Sequence, residues 1–153
     1  MSDVSTLPPL QGIHHVKIAV SDLDRALHFY ETVFGAKRIP EADHHRESDG
    51  KLYGYILEVP NLGTKLELRL NPKQAEKHRF FDLLTIAVQD RKALEQWGAY
   101  LGEKKIPHSP VIVAIQAWII VVEDPDQNRL RLYTLETHGR DLKPDEDNLW
   151  EQN

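Results

Sequence analysis

Polar and apolar residues alternate through His15-Val16-Lys17-Ile18-Ala19-Val20, and again through Thr64-Lys65-Leu66-Glu67-Leu68-Arg69-Leu70, as half-buried strands require. Between them Leu23, Ala26, Leu27, Tyr30, Val33 and Phe34 fall on one face of a helix. Ser21 and Asp24 offer a shortened capping box at its start, and Gly35 offers a left-handed stop. The same order then returns. Leu84, Ile86 and Val88 form a strand pattern; Asp90 is placed to cap a helix whose apolar face is Ala93, Leu94, Trp97, Tyr100 and Leu101; Gly102 stands where Gly35 stood, 67 residues on. The stretch Gly35-Ala36-Lys37-Arg38-Ile39-Pro40 recurs as Gly102-Glu103-Lys104-Lys105-Ile106-Pro107, identical at four of six positions.

After each proline the chain reads as strands: about 53–59 and 64–70, with a weaker one near 38–42, in the first half, and 111–115, 118–123 and 130–135 in the second. The predicted fold class is α+β, with two tandem βαβββ modules, about 11–72 and 79–134, whose mixed sheets curve around a central cleft. Residues 1–10 read as a flexible arm. Residues 135–153 read as an acidic, extended tail in which Trp150 is an aromatic suited to docking on the domain or on a second subunit.

Composition narrows the chemistry. The 153 residues suit one domain, none of them is cysteine, and the net charge is −5. Disulfides, thiolate metal sites and a cysteine nucleophile are excluded, and a reducing cytoplasm is the expected location. No apolar run is long enough to span a bilayer, and the opening residues do not form a signal peptide. The dispersed basic residues do not build the positive face that nucleic acid requires.

The run "HHVKIAVSDLDRALHFYETVFG", the closing "EDPDQNRLRLY" and the paired modules resemble the vicinal oxygen chelate superfamily of glyoxalases, bleomycin resistance proteins and extradiol dioxygenases. The resemblance implies a small-molecule cleft, and a homodimer as the expected assembly. It also implies that metal-binding members take ligands early on the first strand of each module and from a Glu on each last strand. Here those positions hold His15 and Glu67 in the first module, but Leu83 and Arg131 in the second. Leu83 has no lone pair and Arg131 no acceptor.

The expectation is therefore a protein that binds an anionic or aromatic small molecule without a cofactor, either as a resistance or sequestration protein or as a metal-independent enzyme. His15 and Glu67 are the candidate catalytic pair. Arg131, Arg69, Tyr133, Trp118 and Tyr55 are the candidate binding residues, with Arg131 expected to pair with Glu67 across the cleft. One alternative is a metal-dependent lyase, isomerase or dioxygenase. It would hold one Zn, Ni, Fe or Mn ion through His15, Glu67 and a further ligand drawn from His44, His45, Glu47 or His108. The other is a non-catalytic interaction module.

Overall fold

A computed structural model describes residues 6–150. Each half is a mixed sheet with its helices on one face. In the first half the order is β1 (His15–Val20), α1 (Leu23–Phe34), β2 (Lys37–Arg38), β3 (His44–His45), β4 (Leu52–Glu58), β5 (Lys65–Leu70) and α2 (Pro72–Lys77). The second half comprises β6 (Asp82–Val88), α3 (Arg91–Glu103), β7 (Ile112–Val113), β8 (Trp118–Glu123) and β9 (Arg129–Thr134). The sheets run β1-β5-β4-β2, with β3 beside β4, and β6-β9-β8-β7. In both, the first strand lies parallel to the last, as β1 on β5 and β6 on β9, and the remaining pairs are antiparallel. The internal repeat of the sequence is thus a repeat of topology.

The helices start and stop as their residues dictate, with three corrections. Asp22, rather than Ser21, caps α1 by accepting from the Arg25 amide at 2.9 Å. Gly35 ends it in the left-handed region at φ 68°, donating to the Tyr30 and Glu31 carbonyls. Asp90 caps α3, but that helix continues through Gly102, and the left-handed residue is Lys105 at φ 58°. The short α2 was absent from the sequence reading, although Asn71 as cap and Pro72 at the first helical position signal it. The weaker strand expected near 38–42 is only β2 at Lys37–Arg38, followed by a 3-10 turn over Pro40–Ala42, and the stretch after it carries the strand β3.

One apolar core holds the halves together. It joins Ile18, Val20, Tyr30, Leu66 and Leu68 of the first module to Leu94, Leu101, Ile120, Leu130 and Leu132 of the second. Phe34 and Trp97 meet between the helices with ring centres 5.8 Å apart, and the Tyr100 hydroxyl donates to the Thr32 carbonyl. The turn between β8 and β9 then reaches back to the first module. Tyr30 donates to Asp124 at 2.9 Å, Asn128 donates to the Ala19 carbonyl at 3.1 Å, and the Ser21 amide donates to Asp126 at 3.0 Å. Burial pushes the Asp124 carboxyl above the usual carboxylate range, against the hydrogen bonds from Asn128 and Tyr30 that favour its charged form.

The helix-facing side of each sheet is consumed by this core, leaving the opposite sides to carry polar chemistry. Among the described residues no helix is long and apolar enough to cross a membrane.

Candidate functional site

Strand alternation places His15, Lys17 and Ala19 on the open face of the first sheet, and the β1–β5 register sets Lys17 beside Glu67 and Ala19 beside Arg69. His44 joins them because β3 pairs with β4 and brings it opposite Gly54, which is itself opposite Arg69. Gly54 makes that approach possible: a Cβ there would stand 3.0 Å from His44 Nδ1. In the sequence His44 stands only as one of four further donors, with His45, Glu47 and His108.

Glu67 is the centre of this group and is only 1% exposed. Its Oε2 accepts from Arg69 Nε at 2.7 Å. Its Oε1 has two imidazole neighbours, His15 Nε2 and His44 Nδ1, each at 3.4 Å. The His44 nitrogen is buried and makes no hydrogen bond. The three nitrogen-bearing side chains are each about one-third exposed and roof the carboxylate. Arg69 also stacks over Tyr53, 4.9 Å from its ring centre, and Tyr53 lies against His44 at 5.6 Å. The other nitrogen of His15 is not idle. Its Nδ1 is 2.8 Å from Nδ1 of the exposed His14, so one ring donates and the other accepts. His14, His15 and Glu67 thus form a chain from solvent to a buried carboxylate.

The second sheet inverts these charges. Arg131 on β9 occupies the place that Glu67 holds on β5, and its Nη2 is paired with Asp82 Oδ2 at 2.6 Å. Asp82 was missed in the sequence because a register shift between Asp82 and Leu84 turns it onto the open face and sends Leu83 against the core. The expected pairing of Arg131 with Glu67 does not form: Glu67 is held by Arg69, and Arg131 is held by Asp82. Tyr133 lies on the open face with Arg131, beside a cavity of about 350 Å³.

Two expected binding residues belong to the core instead. Tyr55 pairs in register with Leu68, is 3% exposed and donates to Asp24 at 2.7 Å. Trp118 is 9% exposed on the helix side of β8, its ring edge-on to His138. Alternation is the reason: each sits one residue out of phase with the open face.

A divalent ion needs about three protein donors at close spacing. His15 and His44 approach the same oxygen of Glu67, but Arg69 already brings a positive charge to that carboxylate. Among the described residues no group of three or more His, Cys, Asp or Glu side chains has the arrangement of a metal site. A cation on that oxygen would have to share Glu67 with the Arg69 guanidinium.

The model of the Glyoxalase/Bleomycin resistance protein/Dioxygenase superfamily matches residues 12–132. The chain belongs to this superfamily. As a superfamily member it is 28% identical over 134 residues to a putative ring-cleaving dioxygenase, MhqA, of Bacillus subtilis; the match covers 86% of this chain but only 42% of that relative's length. A probable trivalent organoarsenical cleaving enzyme of the same bacterium is 25% identical, covering 86% of this chain and 85% of the relative. Among solved superfamily structures, the fosfomycin resistance protein FosX of Listeria monocytogenes superposes with a TM-score of 0.64 at 14% identity, covering 82% of this chain and 94% of that one. An antibiotic binding protein from a Streptomyces species gives 0.62 at 18% identity, covering 84% and 98%. At these identities the structural matches establish the fold.

Proposed function

We propose that the open face of the first module binds a small organic anion, and that His15, backed by Glu67, moves a proton at it without a resident metal ion. The supporting observation is the buried Glu67 under its roof of Arg69, His15 and His44. A carboxylate sealed from solvent and already paired is poorly placed to contact a ligand; it organises three side chains whose outward nitrogens can. The guanidinium plane of Arg69 suits a carboxylate or phenolate oxygen, and Lys17 and Lys65 add positive charge on the same face. For His15 Nδ1 to take a proton from the ligand the exposed His14 ring must turn aside from it, and Glu67 at Nε2 then stabilises the imidazolium that results. The similar proteins, a putative ring-cleaving dioxygenase, a probable trivalent organoarsenical cleaving enzyme and an antibiotic binding protein, agree with a small organic ligand.

The test is calorimetric titration of small aromatic carboxylates and α-hydroxy acids before and after chelator treatment, together with metal analysis of the purified protein. Binding should persist in chelator and weaken at least tenfold in Arg69→Met. Near-stoichiometric Zn, Ni, Fe, Mn or Co that is lost in His15→Ala would overturn the proposal in favour of metal-dependent cleavage.

A further inference from the structure

The open face of the second sheet is covered where that of the first is bare, and the cover is the C-terminal segment. Asp145 ties that segment to β7 in both directions: its amide donates to the Val113 carbonyl at 2.9 Å, and its Oδ2 accepts from the Val113 amide at 2.9 Å. Five residues later Trp150 packs on the apolar patch of Ile112, Ala114, Ile119 and Val121, alongside Tyr133. The Arg129 guanidinium is sandwiched between two rings, 5.1 Å from the centre of Trp150 and 5.2 Å from that of Phe80, and it donates to the Trp150 carbonyl at 3.3 Å. Fixed at both ends, the segment forms a strap across the sheet.

Between strap and sheet lies the cavity of about 350 Å³. Val113, Ala114 and Ile115 form an apolar wall, Pro144 closes the strap side, and the Tyr133 ring and Arg131 line the sheet side. Asp145 and Glu146 complete the lining from the strap. The positive charge of Arg131 is already met by Asp82, so the strap carboxylates leave the cavity net negative. Apolar walls, an aromatic ring and surplus acid form the combination that recognises an organic cation.

We infer that the second module carries its own binding site, formed by the C-terminal strap, for a small flat organic cation of about bicyclic size. This site is separate from the anion-binding face of the first module and does not depend on it. It has opposite charge preference, and its existence requires the strap to be docked. A ligand seated there adds contacts to both Tyr133 and the strap and so holds the strap down.

Calorimetric titration of the full chain with 1-methylquinolinium tests this, with 1-naphthoate as the anion of similar shape. Wild type should take the cation, and in Arg69→Met, where the anion face of the first module is disabled, the cation should bind at least tenfold more tightly than the anion. Glu146→Gln, an exposed change that leaves the fold alone, should weaken the cation about threefold. Tyr133→Leu should weaken it about fivefold through loss of the ring face. Trp150→Ala should weaken it about tenfold by freeing the strap. No measurable uptake of the cation by wild type, or equal affinity in wild type, Glu146→Gln and Trp150→Ala, would overturn the inference.

Discussion

The two modules share strand order, helix placement and the parallel pairing of first and last strands, yet their open faces have opposite electrostatics. In the first, an acid on the last strand is buried under basic groups: Glu67 beneath Arg69, His15 and His44. In the second, a base on the last strand faces acids: Arg131 with Asp82 beside it and the strap's Asp145 and Glu146 across the cavity. The first face is open and the second is strapped. Duplicated architecture therefore fixes where a polar group will stand, and the residue chosen on β5 or β9 goes with partners of opposite charge around it.

The comparison breaks most severely at Glu67. Glu67→Ala leaves Arg69 and two imidazoles without their buried counter-charge and opens a void. A loss of about 3 kcal/mol of stability is expected, discounted for the partial exposure of the partners, and chemical denaturation measures it. Asp82→Ala is the matching cut in the second module. Both members of that pair are more exposed than Glu67, so about 2 kcal/mol is expected by the same assay. If Asp82→Ala proves the more damaging, the second pair is the structural one and the contrast between faces reverses.

Gly54→Ala probes the first face alone. The new methyl group would stand 3.0 Å from His44 Nδ1 and 3.3 Å from its Cβ, so the ring must give by a few tenths of an ångström, and organic-anion affinity should fall about threefold while the overall fold survives, as read by titration and circular dichroism.

Two pH dependences sharpen the picture. Asp124, at the joint between modules, titrates above its unfolded value because it is buried, so the folded state holds its proton more tightly than the unfolded state. Stability should therefore fall as pH rises from the unfolded carboxyl value of about 4 through the folded one, and Asp124→Asn should flatten that slope in a denaturation series. The smallest effect concerns the strap. His138 is raised above its ordinary value, first by the Gly139 carbonyl and also by that of Ala114, so its contribution is present below the unfolded histidine value and is lost as pH rises through the folded one. Amide exchange along 139–150 should be slower at pH 5.5 than expected from the intrinsic rate and faster relative to it at pH 8, with the difference gone in His138→Gln.

Much of this was legible in the chain. Alternation assigned His15, Glu67, Arg69, Arg131 and Tyr133 to the open faces, because a period of two leaves one free choice per strand. Apolar spacing gave both long helices; the unbroken apolar run Ala117 to Val122 is buried on both sides, with the strap and Trp150 as its second cover. Tyr55 and Trp118 were misassigned because aromatic character was weighed above strand phase.

What the sequence by itself determined is the duplicated topology and the identity of the polar residues on each open face, since both follow from local periodicity. Tertiary structure alone decided their partners. The shift at Asp82 displaced Leu83, the pairing of β3 with β4 carried His44 to Glu67, and the packing of Trp150 drew the tail across β8. Each of these depends on a contact between residues distant in the chain, or on one extra residue in a strand, and no local pattern encodes either.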